Sequence, residues 1–156
     1  MFKWLTNIFY HFKERRTKMN KFDLLLKFHY ALFPTFYTIK DSEDNEYVFL
    51  KTEDDEIKIL NSVKDKTQLE AYENHIHLFG KLKKKYQNDA LKVSQIITEN
   101  LVKELKLQFP NKKFLVYLDC DFNEHTIIRF HQNWTNELPY YDINDFPTIK
   151  VYSVGI

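Results

Sequence analysis

Residues 114–134 read FLVYLDCDFNEHTIIRFHQNW, and apolar side chains alternate with polar ones on both sides of a short turn at residues 122–125. A period of two is typical of β-strands, so the segment predicts a hairpin of two strands, FLVYLDC and TIIRFHQNW. Pairing Leu118 with Ile128 gathers the apolar residues on one face, which then consists of Phe114, Val116, Leu118, Ile128, Phe130 and Trp134. A slip of one residue would break up this set, so we expect that register.

The same register places polar side chains on the opposite face, namely Tyr117, Asp119, Arg129 and His131. Together with Asp121 and His125 of the turn, they offer carboxylates and imidazoles, the groups used in acid–base catalysis and metal binding. A small enzyme built on Asp119, His125 and His131 is therefore one hypothesis. The favoured interpretation is structural, because Asp and His side chains at a strand end commonly belong to the turn.

Outward from this hairpin, the pattern predicts further strands and an N-terminal helix. PTIKVYSV at residues 147–154 reads as a last strand, and FYTIK at 36–40 with YVFLKT at 47–52 reads as a second hairpin around the acidic turn DSEDNE. DEIKIL at 55–60 is expected to be a third strand. Residues 20–33 are apolar over a length that favours a helix, which Pro34 would end.

The middle of the chain predicts two helices. Residues 67–70, TQLE, match a capping box in which Thr67 and Glu70 satisfy the first backbone amides. Apolar residues spaced by three and four continue this helix to Tyr86, through Gly80, and a second helix is expected from Asn88-Asp89 to about residue 108. The expected fold is a single α+β domain with N-terminal helices and antiparallel strands flanking a two-helix hairpin.

Scarce glycine and cysteine exclude several kinds of site. With only Gly80 and Gly155, the chain has neither a P-loop nor a dinucleotide-binding motif, and no nucleophile elbow. Cys120 is the single cysteine, which excludes an intramolecular disulfide and a multi-cysteine metal site and indicates a reducing compartment, the cytoplasm. His75 and His77, two apart on the expected helix, would diverge and not share a metal. We expect no metal and no cofactor.

The formal net charge is +1, but the charges are segregated along the chain. Residues 41–74 carry eleven acids against four bases, and their acidic runs are the candidate partner-binding residues: Asp41, Glu43, Asp44 and Glu46, then Glu53, Asp54, Asp55 and Glu56. Such a surface attracts a basic partner by electrostatic steering, whereas the simpler alternative is a pair of solvated loops. The near-neutral total and these acids argue against a nucleic-acid partner, despite the run of lysines at 81–85.

Residues 1–18 form a basic amphipathic leader. Phe2, Leu5, Phe9 and Phe12 lie on one face of the expected helix. Packing of this face on the domain is the favoured interpretation, and binding to a membrane surface or to a partner are the alternatives. Met19 follows the leader and is a second candidate for the start of translation.

In its organisation the chain resembles the bacterial immunity proteins of contact-dependent growth inhibition and related polymorphic toxin systems. The resemblance rests on chain length, one cysteine, scarce glycine, abundant aromatic residues, clustered acids and the absence of active-site motifs. It implies a cytoplasmic protein that binds and neutralises a cognate toxin domain with a basic surface, and it assigns no role to individual residues. The alternatives are the enzyme described above and a peripheral membrane or nucleic-acid adaptor.

Overall fold

The computed structural model describes residues 29–52, 63–146 and 148–155. Its centre is the hairpin of β4 (Phe114–Asp121) and β5 (His125–Gln132), which pair antiparallel with Leu118 opposite Ile128. The predicted register is therefore confirmed. The strand residues of the apolar set are all buried, and Trp134 lies beyond the end of β5.

Two further strands flank this hairpin and complete an antiparallel sheet of four strands. β3 (His75–Gly80) pairs with β5, and β6 (Ile149–Val154) pairs with β4, so the strand order is β3-β5-β4-β6. The predicted last strand is thus present, two residues shorter at its start. The mixed α+β fold class is confirmed.

The predicted two-helix hairpin is wrong. Helix α1 (Lys66–Glu73) ends after eight residues, β3 follows at once, and a single long helix, α2 (Lys84–Gln108), comes next. The apolar residues at 76, 78 and 79 fit a helical spacing and an alternating one equally well. Pairing with β5 selects the strand, because it buries Ile76 and Leu78 against the core and satisfies the backbone of the segment.

Helix α2 packs across one face of the four-stranded sheet. Ile97, Leu101 and Leu105 are buried there against residues of β4 and β5 such as Phe114 and Phe130. The predicted helix start at Asn88-Asp89 lies inside α2, which begins four residues earlier, whereas the predicted end near Gln108 is confirmed.

A separate sheet of two strands, β1 (Phe36–Lys40) and β2 (Glu46–Leu50), forms the second predicted hairpin. A short helical turn at residues 29–32 precedes it. The leader at 1–18, most of the predicted helix at 20–33 and the predicted strand DEIKIL at 55–60 lie outside the described residues.

Two side chains from the end of α1 bind the free edge of β2. The backbone amide of Val48 donates to Glu70 Oε1 at 2.8 Å, and that of Leu50 donates to Asn74 Oδ1 at 2.8 Å. Asn74 Nδ2 returns a hydrogen bond to the Val48 carbonyl at 2.8 Å. We call Glu70 and Asn74 the edge clamp, because they occupy backbone groups that an unpaired strand edge would expose.

The predicted capping box of Thr67 and Glu70 is wrong. The N-terminal cap of α1 is Asp65, whose carboxylate accepts a hydrogen bond from the Gln68 amide at 2.7 Å, and not Thr67. Glu70 turns into the interior instead of back to the start of its helix, where it bonds β2 and β5. The motif predicts a local contact, and the carboxylate forms long-range ones.

Candidate functional site

The first acidic run lies on the turn between β1 and β2, and its four acids differ in burial and in hydrogen-bond partners. Asp41 is buried and holds the turn together: its carboxylate accepts hydrogen bonds from the Glu43 amide at 2.9 Å, the Asn45 amide at 3.0 Å and the Tyr47 hydroxyl at 2.9 Å. Burial alone would raise the pKa of Asp41, but hydrogen bonds from the Asn45 side chain, from Tyr47 and from the two turn amides lower it to about 2. Asp41 therefore shapes the turn, and little of its side chain is exposed to solvent.

The other acids of this run lie nearer to solvent. Glu43 and Asp44 are exposed at the tip of the turn, where Asp44 pairs with Lys40 at 2.7 Å. Glu46 is partly buried and pairs with Lys112 at 3.1 Å. Residues 53–56, the second run of candidate partner-binding acids, lie outside the described residues. Within the described part, Glu43 and Asp44 thus carry the acidic surface at this hairpin.

The polar face of the β4–β5 hairpin forms as predicted, but it divides into two groups. Near the turn, Asp119 Oδ2 lies 3.0 Å from His125 Nε2. At the other end of β5, the Tyr117 hydroxyl lies 3.0 Å from His131 Nε2. His125 and His131 are six residues apart in one strand, about 20 Å. The three residues of the enzyme hypothesis therefore do not form one site.

His75 and His77 lie side by side on the same face of the sheet, with ring centroids 5.0 Å apart. The prediction that they diverge is wrong, because residues two apart share a face in a strand and not in a helix. Among residues 29–52, 63–146 and 148–155, no group of three His, Cys, Asp or Glu side chains is placed to hold a metal ion.

Arg129 joins this face to helix α1. Its Nη1 donates to the carbonyl of Ala71 in the last turn of α1, where a cation interacts favourably with the helix dipole. Its guanidinium carbon lies 4.6 Å from the centre of the Tyr140 ring. This buried positive charge also disfavours protonation of the two histidines beside it.

The histidine pair leads to a pH prediction. Burial first, and then the charges of Arg129 and His77, lower the pKa of His75 to about 4, although a hydrogen bond to the Tyr72 carbonyl opposes the shift. The unfolded chain binds a proton at His75 near pH 6.5, whereas the folded protein does not until near pH 4, so stability falls as the pH drops through that window. By itself, this ionisation should make the urea midpoint lower at pH 4.5 than at pH 6.5. We therefore expect His75→Gln to be more stable at pH 4.5, relative to its own midpoint at pH 6.5, than the wild type is. An identical change in midpoint in both proteins would show that His75 does not contribute.

Cys120 lies half-buried in β4. Burial, and secondarily the charge of Asp119, raise the pKa of its thiol to about 11. Since the thiolate is the nucleophile, this environment suits a structural cysteine.

The surface that sequence reasoning missed is the segment of residues 137–146, which follows β5. Leu138 is 85% exposed, Ile143 57% and Phe146 46%. Residues 130–149 contain no Lys or Arg and three acids, Glu137, Asp142 and Asp145. That absence of basic residues beside several large apolar ones was visible in the sequence, but only the structure shows that the apolar side chains face outward.

Contacts at several points hold the 137–146 segment on the domain. The Glu137 carboxylate accepts a hydrogen bond from the Thr67 amide at 2.6 Å and pairs with Lys66 at 3.1 Å. In the middle, the Tyr141 ring lies edge-on to Tyr117, with centroids 5.3 Å apart, and to Phe146 at 5.2 Å. The segment therefore presents its exposed side chains from a shaped support.

No helix in the described ranges is both long and apolar enough to cross a bilayer. Comparisons of this chain with protein-family models, with curated proteins and with solved structures found no match.

Proposed function

We propose that this protein is a cytoplasmic protein-binding module that neutralises a toxin domain, as the immunity proteins it resembles do, and that the toxin docks on the 137–146 segment. The observation that carries the proposal is the exposure of Leu138, Ile143 and Phe146 on one short acidic segment that is anchored to the fold. Contiguous exposed apolar surface marks protein interaction sites, and these three residues lie within nine positions of the chain.

The construction of the segment favours tight binding. Aromatic residues are enriched at the energetic centre of interfaces, and Tyr140, Tyr141 and Phe146 form a chain of edge-to-face ring contacts here, with centroids 4.7 and 5.2 Å apart. Because these contacts and the Glu137 ion pair already order the segment, association loses less conformational entropy than it would with a free loop.

The charge of the surface indicates a basic partner. Asp142 and Asp145 are exposed, whereas the charge of Glu137 is balanced by Lys66. Glu43 at the tip of the β1–β2 turn has the same sign, whereas Asp44 beside it is paired with Lys40. Like charges on one protein repel an acidic partner and steer a basic one, such as a nuclease domain with a basic cleft.

The test begins with isolation of the partner on the immobilised full chain from the source strain, followed by its purification. Leu138→Asp/Ile143→Asp should weaken binding of the purified partner by about 100-fold or more, mainly through faster dissociation, because each substitution would bury an unpaired carboxylate in the interface. Phe33→Asp, at an exposed apolar residue ahead of β1, is the matched control and should bind as the wild type does. Equal affinity of all three proteins would exclude the 137–146 segment as the docking site.

Charge reversal should act on the association rate instead. Glu43→Lys/Asp44→Lys, and separately lysine at Glu53, Asp54, Asp55 and Glu56, should slow association and reduce its dependence on salt, since steering extends over about 8 Å at physiological ionic strength. Surface plasmon resonance at low and high salt measures both quantities. If the variants associate as fast as the wild type with the same salt dependence, the acidic runs are only solvated loops.

Neutralisation is tested in cells by co-expressing the partner with each variant. Wild-type chain should restore growth if the partner is a toxin, and Leu138→Asp/Ile143→Asp should not. A partner that is harmless when expressed alone would contradict the toxin proposal while leaving protein binding intact.

A further inference from the structure

One flank of helix α2 carries a stripe of exposed apolar side chains. Tyr86, Val93, Ile96 and Leu107 are exposed, the last two by 66% and 69%. With 3.6 residues per turn, these four residues fall within about 80° of the helix circumference, a sector that also contains Asp89, Asn100 and Glu104. The stripe adjoins the face of α2 that is buried on the sheet, so it extends the apolar surface of the core outward.

The chain enters the described fold at this stripe. Tyr30 and Ala31 are buried in the core, and Asn100 Nδ2 donates to the Leu32 carbonyl at 2.9 Å. Asn100 lies between Ile96 and Leu107 on the same flank. Whatever precedes His29 therefore starts beside the middle of the stripe.

We propose that residues 1–28 of this chain cover the stripe, which makes it an intramolecular docking surface. The sequence of this segment is rich in apolar residues that could pack against the stripe: Phe2, Leu5, Phe9, Phe12, Phe22, Leu24, Leu25, Leu26 and Phe28. Twenty-eight residues attached at the middle of the flank are long enough to reach both of its ends, since a helix of 25 residues measures about 37 Å.

The same observations disfavour a second copy of the chain as the occupant. Stable interfaces between separate proteins bury about 800 Å² on each partner, more than four side chains on one helix flank offer. A covalently attached segment needs less contact area, because its effective concentration at the surface is already high. Docking of residues 1–28 on α2 is independent of the partner proposed above.

The test uses the full chain with a photo-crosslinking benzoylphenylalanine at position 96, and a control chain with the same residue at position 138. Mixing light and ¹⁵N-labelled protein separates links within one chain from links between two. We expect position 96 to link to peptides from residues 1–28 of the same chain, and position 138 not to. A cross-linked dimer, or labelling of added phosphatidylserine vesicles instead of residues 1–28, would overturn the proposal.

A second measurement tests burial directly. Ile96→Asp should lower the melting temperature of the full chain by several degrees, because a charge would enter an apolar contact, whereas Leu138→Asp should leave it unchanged. If the two variants melt alike, Ile96 is as open to solvent as Leu138 and the stripe is uncovered.

Discussion

Replacing Glu70 by alanine is expected to lower the free energy of unfolding by about 3–5 kcal/mol, because several donors lose one acceptor and each that stays buried and unsatisfied costs about 1–3 kcal/mol. Each of the two carboxylate oxygens accepts two hydrogen bonds. Oε1 accepts from the Val48 amide at 2.8 Å and Gln132 Nε2 at 2.7 Å, and Oε2 accepts from the Gln132 amide at 2.7 Å and Trp134 Nε1 at 3.0 Å. Alanine would leave four donors without this acceptor. Urea denaturation followed by tryptophan fluorescence measures the loss.

Two further variants separate charge from shape. Glu70→Gln keeps the volume and one oxygen but turns an NH₂ group toward two donors, so we expect a loss of about 2 kcal/mol. Gln68→Ala, at an exposed position of the same helix, should change stability by less than about 0.5 kcal/mol. If the free energies of unfolding of Glu70→Ala and Gln68→Ala differ by less than about 1 kcal/mol, the carboxylate does not join the two sheets.

Glu70 also contributes a pH dependence whose sign is opposite to that of His75. Burial raises the pKa of Glu70 to about 7, and the four hydrogen bonds offset that effect only in part. Between pH 4.5 and 7 the folded protein holds this proton more tightly than the unfolded chain does, so the contribution of this ionisation to stability falls as the pH rises. Glu70→Gln should therefore remove a decrease in stability between pH 5 and pH 7.5.

Asn74→Ala is expected to cost about 2–3 kcal/mol and to loosen β2 selectively. The side chain of Asn74 forms two hydrogen bonds with the backbone of β2, and alanine would leave the buried Leu50 amide and Val48 carbonyl without them. Hydrogen exchange measured by NMR should show faster exchange of the Leu50 amide. Amides in the β4–β5 pairing should exchange at the rate that the global stability of each protein predicts.

Asn88→Ala is the matched control, because Asn88 is exposed in the first turns of α2. It should unfold at the same urea concentration as the wild type, and its Leu50 amide should exchange normally. A normal Leu50 amide in Asn74→Ala would mean that the edge clamp does not protect β2.

The sequence alone was sufficient for features that depend on neighbouring residues. The alternation in residues 114–134 predicted both strands and their register, because only one pairing buries Phe114, Val116, Leu118, Ile128 and Phe130 together. The β1–β2 hairpin followed from two β-rich runs around a polar turn. In the first hairpin the competing registers differ in how much apolar surface they bury, and a short window of sequence contains that difference.

Features that depend on distant residues needed the tertiary structure. The apolar pattern of residues 75–80 fits both the helical period and the period of a strand, and pairing with β5 makes the segment a strand. Glu70 reads as a helix cap, yet its hydrogen bonds reach Gln132, 62 residues away, because burying it without those donors would cost more than a local cap gains. The outward position of Leu138, Ile143 and Phe146 likewise depends on the tertiary structure, because distant residues hold the segment that carries them: Tyr117 contacts Tyr141, and Lys66 pairs with Glu137.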